Sequence, residues 1–170
     1  AISPDGTSIA FTYKGDIYTV PVNGGKAAQI TTNAAHDTHP VWSPDGKQIA
    51  FASDRMGSMD IFVVDREGGI PKRLTTHSGN ETPVAFKDAD HILFLANVMP
   101  SAEDAQFPSG QFQQVYEVST TGDRPVMFSS MPMEDISINK TGNALLYHDM
   151  KDRKSTRLNS SHQLISYAVF

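Results

Sequence analysis

Residues 3–11 read SPDGTSIAF, and residues 43–51 read SPDGKQIAF. The same turn tetrapeptide, followed by the same apolar run, therefore occurs twice. Proline presets φ for a turn, aspartate accepts backbone N–H groups, and glycine adopts positive φ. The tetrapeptide predicts a tight turn that ends one strand and begins the next. The candidate structural turn residues are Ser3, Pro4, Asp5, Gly6, Ser43, Pro44, Asp45 and Gly46.

The repeat extends well beyond the turn. Each copy is followed by a second apolar run (GDIYTV, MDIFVV), a Gly-Gly pair and a short segment ending in Thr-Thr (QITT, RLTT). A degenerate third unit begins with KDADHILF at residues 87–94, and a fourth begins with NKTGNALLY at residues 139–147. Another apolar run precedes each turn from the second unit onwards. Each unit thus offers four short strands, and no segment has a capped helical period.

The period of the repeat indicates the architecture. The interval from Ile9 to Ile49 is 40 residues, and the interval from Ile49 to Ile92 is 43. Four strands at this spacing are typical of a β-propeller blade, which buries its apolar faces against neighbouring blades. About three and a half units cannot close a ring, so we predict an all-β, partial β-propeller that is a fragment of a larger one. We expect its open faces and edges to make it prone to aggregation.

Composition narrows the function classes. The chain has 170 residues, 39% hydrophobic residues, no cysteine and a formal net charge of −5. The absence of cysteine excludes disulfides and thiolate metal sites without fixing the compartment. Net negative charge argues against a nucleic-acid partner. No apolar run approaches the roughly 20 residues needed to span a bilayer as a helix.

Residues 152–170, DRKSTRLNSSHQLISYAVF, depart from the preceding pattern. They have no strand-like alternation and no turn motif, and they resemble a translated sequencing adapter. We therefore predict a propeller fragment over residues 1–151 and a disordered, non-native tail over residues 152–170.

The repeated motifs resemble the TolB-like, WD-like class of propeller repeats, and this resemblance covers residues 1–151. TolB, prolyl-oligopeptidase-type enzymes and tricorn-type proteases share these repeats. The stretches AFTYKGDIYTVPVNGGKAAQIT and HSGNETPVAF, with the AQFPSG insertion, resemble more narrowly the N-terminal propeller of tricorn-like serine peptidases in the tail-specific family. The KDAD segment departs from SPDG, which puts the turn geometry of unit three in doubt.

This resemblance implies a non-catalytic segment of a serine peptidase that gates or orients peptide substrates or scaffolds assembly. It implies no cofactor. Its partners would be peptide or protein substrates and the parent's own PDZ and protease domains, and oligomerisation is compatible with this role. The family's catalytic serine and histidine lie in regions that this chain lacks, so no catalytic residue is carried over.

Two alternatives stay open. One is a TolB-like periplasmic propeller that binds protein partners, and the other is the propeller of a prolyl-oligopeptidase-type enzyme. The resemblance implies a periplasmic or otherwise extracytoplasmic location, with the cytoplasm as the alternative.

Several polar clusters require a chemical interpretation. His36, Asp37 and His39 could hold a metal only if a loop brought them together, because a strand would place the histidines on opposite faces.

Asp16 and Asp60 occupy equivalent places in consecutive units, which favours a repeated structural hydrogen bond or ion pair. We assign the same structural role to the Asp54-Arg55 pair at a strand end. Apolar residues occupy equivalent slots before the turns and are predicted to form the core between blades: Trp42, Phe86 and Ile138.

An insertion interrupts unit three between Ala96 and Gln113. Loops of this length are usually functional or disordered. We predict that it covers a propeller face or contacts a neighbouring domain, the alternative being an ordinary surface loop. The candidate interaction residues are Met99, Phe107, Pro108 and Phe112.

Overall fold

The computed structural model describes residues 1–97, 113–129, 133–139, 144–149 and 165–169, and every regular element in these ranges is a β-strand. The first two sheets contain β1 (Ser8–Tyr13), β2 (Asp16–Pro21) and β3 (Ala28–Gln29), then β4 (Asp37–Trp42), β5 (Gln48–Ser53), β6 (Asp60–Asp65) and β7 (Lys72–Arg73). The next two contain β8 (Glu81–Phe86), β9 (His91–Asn97), β10 (Gln113–Ser119) and β11 (Val126–Ser129), then β12 (Met133–Ile138), β13 (Ala144–Asp149) and β14 (Ile165–Val169).

The four sheets are successive blades, numbered one to four in chain order. Within each blade the strands are antiparallel and adjacent in the order of the chain. Blades two and three have all four strands, and residues 1–3 add an isolated bridge, Ile2 to Ile9, at the inner edge of blade one. Among the described residues, the strands of blades one and four make no extensive contact. The all-β fold and the unclosed ring predicted from the sequence are confirmed.

The two SPDG turns share their backbone hydrogen bonds and the bond from serine to aspartate, and the first turn adds one from the Thr7 hydroxyl to Asp5. Ser43 N–H donates to Gln48 O across the turn, and Gly46 N–H donates to Ser43 O, both at 2.9 Å. Gly46 has φ of 69°, which a side chain would oppose. Asp45 Oδ1 accepts from Ser43 Oγ at 2.7 Å and from Lys47 N–H at 3.1 Å. These bonds to the carboxylate lower the pKa of Asp45.

The turns of blades three and four are closed by similar hydrogen bonds between different residues. In blade three, Lys87 N–H donates to His91 O, so the turn is one residue shorter than the SPDG turn. In blade four, Asn139 N–H donates to Ala144 O, and Ala144 N–H donates to Asn139 Oδ1 at 3.1 Å. The asparagine oxygen thus takes the place of the serine hydroxyl of SPDG. The doubt about the turn geometry of unit three was justified, while its four-stranded blade is intact.

Three hydrophobic clusters lie between neighbouring blades. Trp42 belongs to the cluster between blades one and two, and Phe86 belongs to the cluster between blades two and three. Ile138 packs against the cluster between blades three and four. The prediction that these three residues form the core between blades is confirmed. Each blade therefore buries apolar surface only with the help of its neighbours.

Residues 165–169 differ from the disordered tail predicted for this region. They form β14, which pairs antiparallel with β13 from Ala144–Val169 to His148–Ile165. Their sequence, ISYAV, contains isoleucine, tyrosine and valine, which favour strands, and β13 offers an open edge for pairing. The rest of the predicted tail lies outside the described residues, as do both ends of the junction at residues 151 and 152.

Within the ranges that the structure describes, no helix is long and apolar enough to cross a membrane.

Candidate functional site

A central cavity of about 740 Å³ lies where the inner parts of the blades face one another. The first SPDG turn contributes Ser3, Pro4, Asp5 and Gly6 to its wall, and Pro44 comes from the second turn. Inner-strand residues add an apolar part of the lining, and residues next to the turns and strands complete it: Val41, Trp42, Val84, Ala85, Phe86 and Ile138, then Ala1, Ile2, Lys87 and Asn139. The cavity is large enough for a small peptide segment, given that ligand pockets usually span about 300–1,000 Å³.

The serines of the SPDG turns are engaged in structural hydrogen bonds. Ser3 Oγ donates to Asp5 Oδ1 at 2.6 Å and accepts from Ser8 N–H at 2.9 Å. The bond from Ser3 Oγ, with two more from Thr7, holds the pKa of Asp5 at about 2. An aspartate that stays ionised and bonded in this way is a poor general base. The arrangement supports a structural interpretation of the turns.

His36, Asp37 and His39 do not converge. Asp37 is fully buried and bound by Arg55, whereas His36 is exposed, with Nδ1 3.7 Å from Asp54 Oδ2. His39 is also exposed, and its Nδ1 contacts the Thr38 hydroxyl. No cluster of metal-ligating side chains occurs among the described residues.

The predicted structural role of Asp16 and Asp60 is confirmed. Asp16 Oδ2 accepts from Gln29 Nε2 at 3.0 Å, and Asp60 Oδ2 lies 2.8 Å from Arg73 Nη2. Gln29 and Arg73 occupy equivalent places in the outermost strands β3 and β7. The same carboxylate position therefore ties the outer strand to the blade in both repeats.

Arg55 occupies a closed polar and aromatic site in blade two. Its Nη2 donates to both carboxylate oxygens of Asp37 at 2.9 Å, and its Nε donates to Ser53 Oγ at 2.8 Å. Its guanidinium carbon lies 4.6 Å from the ring centroid of Phe62 and 5.5 Å from that of Phe51. The guanidinium group is thus held by a carboxylate, a hydroxyl and two aromatic rings.

Sequence reasoning assigned Arg55 a structural role without finding its partner. Asp37 was grouped with the histidines beside it, because all three are potential ligands. The pairing of Asp37 with Ser53 across β4 and β5 was the available clue, since it places Asp37 two residues from Arg55. That register becomes apparent only once the strands are paired.

A second cavity, of about 290 Å³, lies in blade three. Glu81 and the rings of Phe94 and Tyr116, which are tilted by 32° with centroids 5.7 Å apart, form its interior walls. Exposed side chains at its mouth include His77 and Arg124. The lining is completed by Thr76, Ala96, Asn97 and Pro125.

Glu81 is the chemically distinctive residue of this cavity. The residue is 2% exposed, and its carboxylate accepts a hydrogen bond from Thr75 Oγ1. Burial raises the pKa of Glu81 from its ordinary 4.5 to about 7, and the nearby Asp60 carboxylate adds to the shift. The Thr75 hydrogen bond and Arg73 act in the opposite direction. Near neutral pH, Glu81 is therefore poised between its neutral and charged forms.

The candidate interaction residues of the insertion, Met99, Phe107, Pro108 and Phe112, lie outside the described residues. The insertion leaves blade three after Asn97, which is part of the cavity lining, and returns before Gln113. The cavity was not found by sequence reasoning, which examined the insertion and assigned no binding site to the strands that flank it.

The successive antiparallel sheets, with a hydrophobic cluster between each neighbouring pair, define a β-propeller. The chain belongs to the family described as the Tricorn protease N-terminal beta propeller domain, whose model matches residues 2–159. The recognition made from the repeated motifs is thereby confirmed.

Two relatives show how much of a longer protein this chain covers. It is 37% identical over 87 residues to Tricorn protease homolog 1 of Streptomyces coelicolor, a match that spans 51% of this chain and 8% of that protein. It is 31% identical over 108 residues to the uncharacterized peptidase YuxL of Bacillus subtilis, covering 56% of this chain and 16% of that protein. The chain thus spans a small part of the length of both relatives.

Two solved structures share the fold. TolB from Acinetobacter baumannii superposes with a TM-score of 0.69 and 18% identity, covering 99% of this chain and 39% of that one. A putative TolB from Agrobacterium tumefaciens superposes with a TM-score of 0.67 and 24% identity, covering 86% and 51%. At these identities the likeness establishes the architecture alone.

Proposed function

We propose that this chain is a non-catalytic propeller segment of a tricorn-like serine peptidase, in which it admits and orients peptide substrates or scaffolds the other domains. The observation that carries this proposal is membership of the tricorn N-terminal propeller family, together with the 37% identity to Tricorn protease homolog 1. The parent reaction would be peptide-bond hydrolysis by a serine nucleophile supplied by another domain, without a cofactor.

The central cavity supports a role in handling peptides. Inner strands of successive blades face it, and its wall combines apolar side chains such as Val84 with the polar SPDG turns. An extended peptide could lie along such a surface and make both kinds of contact. The serine hydroxyls in this wall are hydrogen-bonded to aspartates, so they do not offer a free nucleophile.

A binding and turnover experiment tests the proposal. The purified chain is mixed with unstructured peptides that carry a fluorophore and a quencher. We expect fluorescence anisotropy to report saturable binding, while unquenching reports no cleavage. Val84→Glu should weaken binding at the central cavity, and Val22→Glu, at an exposed position away from it, should not. Reproducible turnover, or equal effects of both variants, would overturn the proposal.

A second candidate is a TolB-like propeller that binds protein partners, a class whose architecture matches 99% of this chain. A third, the propeller of a prolyl-oligopeptidase-type enzyme, is favoured by the similarity to the peptidase YuxL. The uncut reading frame distinguishes them. It would encode a PDZ domain with a protease core, no enzyme domain, or an α/β-hydrolase domain with a Gly-x-Ser-x-Gly elbow.

An extracytoplasmic location stays a prediction for all three candidates. Cell fractionation of the source organism with an antibody against this chain would test it, and recovery in the cytoplasmic fraction would contradict it.

A further inference from the structure

Blade two shows how this fold binds a guanidinium group. Across β4 and β5, Asp37 pairs with Ser53, and across β5 and β6, Phe51 pairs with Phe62. The side chains at these four register positions surround the guanidinium group of Arg55. The Arg55 side chain is only 11% exposed. The site is therefore a product of strand register, with its occupant supplied by the loop that follows β5.

Blade three has related side chains at the same four register positions. Glu81 pairs with Ala96 across β8 and β9, and Phe94 pairs with Tyr116 across β9 and β10. A buried carboxylate again lies near two neighbouring aromatic rings, tilted by 32° where those of blade two are stacked, and all four residues line the cavity of about 290 Å³. The walls of the guanidinium site are thus repeated, with a longer carboxylate side chain and alanine in place of serine.

The occupant is not repeated. Arg55 follows the last residue of β5 by two positions, and the residue two positions after Ala96 is Val98. Residues 98–112 contain no lysine, arginine or histidine, so the insertion carries no cation that could take the place of Arg55. His77 and Arg124 are exposed at the mouth of the cavity, and Arg73, whose charge also acts on Glu81, is paired with Asp60. None of the three comes from the loop that supplies Arg55 in blade two.

We infer that the cavity of blade three is a binding site for the guanidinium group of an arginine side chain in a peptide. Glu81 would accept its N–H groups, as Asp37 does for Arg55, and Phe94 and Tyr116 would face its charge. A guanidinium group suits this site better than an ammonium group, because its planar fork bonds a carboxylate while its face stacks on an aromatic ring. Arg124 at the mouth would favour an anionic group further along the peptide.

This inference deepens the proposed function by naming the side chain that a peptide would present. It rests on the proposed function for the claim that the arginine belongs to a peptide. The guanidinium site itself rests on the register and burial of the two blades.

Calorimetric titration of the full chain tests the site. N-acetyl-arginine amide is the probe, and N-acetyl-citrulline amide, a neutral molecule of nearly the same shape, is its control. We expect the arginine compound to bind at least tenfold more tightly than the citrulline compound. Equal affinities, or no saturable binding of the arginine compound, would overturn the inference.

Variants locate the binding. Glu81→Gln keeps the shape of the side chain and removes its charge, and should weaken binding of the arginine compound at least tenfold. Glu117→Gln is the matched control, since Glu117 belongs to the same blade, pairs with Lys87 and does not line the cavity. Tyr116→Leu removes one aromatic wall and should weaken binding without changing the charge of the site. Unchanged affinity in both cavity variants would overturn the assignment.

Labelled tetrapeptides with and without arginine separate this inference from the proposed function. If the amide probe binds and no peptide binds, the guanidinium site stands and the peptide-handling function falls. If peptides bind at the central cavity regardless of arginine or of Glu81→Gln, the proposed function stands and the inference falls.

Discussion

Ser43 Oγ acts as both donor and acceptor in the turn before β5. It donates to Asp45 Oδ1 and accepts from Gln48 N–H, and the residue is buried. Ser43→Ala leaves the Gln48 N–H without this partner, which should lower the free energy of unfolding by about 1–2 kcal/mol. Urea denaturation would measure the change. Lys47→Ala removes only an exposed ion pair from the same turn and should change stability by less than about 0.5 kcal/mol.

The buried carboxylate of Glu81 makes stability depend on pH. Because its pKa rises from 4.5 to about 7 on folding, the folded state holds more protons between these pH values, and stability falls as pH rises through the window. Glu81→Gln removes this term. The variant should gain stability relative to the parent between pH 5 and pH 8, by up to about 3 kcal/mol at about 1.4 kcal/mol for each pKa unit.

Other charged groups near Glu81 are common to the parent and the variant, so the comparison isolates Glu81. They are Asp60, Arg73, His77 and Arg124. Parallel stability profiles of the two proteins, obtained from thermal unfolding at each pH, would contradict the prediction.

At the residue scale, the sequence predicted the interactions between residues close together in the chain. It missed the interactions that depend on how the strands are paired. The hydrogen bonds of SPDG lie within a few residues of one another, so the motif itself indicates them. The Arg55 site combines Asp37 with residues 14 to 25 positions away in three strands, and no motif connects them. The corresponding cavity in blade three was hidden for the same reason.

At the scale of elements, the hairpin turns of one blade pack against the outer strand of the blade before it. A Cβ atom at Gly68 would lie 3.2 Å from Ile30 O in blade one, and one at Gly122 would lie 3.7 Å from Lys72 Cε in blade two. Gly24, at the place equivalent to Gly68, has nothing within 4 Å of such a Cβ atom.

This difference gives a matched pair of substitutions. Gly24 and Gly68 have φ of +85° and +89°, so alanine carries a similar backbone penalty of about 1 kcal/mol at both. Gly68→Ala must also push the turn away from Ile30 O, and should therefore destabilise the protein more than Gly24→Ala. Thermal unfolding measures both variants. Equal shifts in the midpoint would mean that this contact between blades contributes nothing to stability.

The strands themselves were predictable wherever the repeat was regular. Alternation and turn chemistry identified blades one to three, including the degenerate turn that begins with Lys87. β14 was not predicted, because residues 165–169 carry no repeat motif. Their pairing depends on the free edge of β13. Edge pairing is a property of the folded sheet, and a local pattern does not report it.

At the scale of the whole molecule, the last blade presents one face that the described residues leave exposed at Leu146. Leu145 and Tyr147 of β13 point into the cluster shared with blade three, whereas Leu146 between them is 42% exposed. In a closed ring the next blade would cover this side. Open faces of this kind favour association between molecules.

We therefore expect the chain to associate as its concentration rises, and sedimentation velocity would detect this. Leu146→Lys should reduce association several-fold by placing a charge on the uncovered face. Ile70→Lys changes a residue that is 97% exposed in a hairpin turn and should have little effect. If both variants associate like the parent, the face of blade four is not the surface that drives association.

Arg55 also provides an internal standard for recognition. The Arg55 side chain of blade two acts as a ligand that is covalently tethered to its own site at a fixed effective concentration. The folding free energy of this blade therefore includes the free energy of binding one guanidinium group. The stability lost when Arg55 is truncated sets a scale for the affinity that the matching walls of blade three can offer to a free ligand. The same arrangement of side chains would thus contribute to folding in blade two and to ligand selectivity in blade three. Stability measurements on a series of Arg55 variants would calibrate the binding strength of the blade three site without any ligand being added.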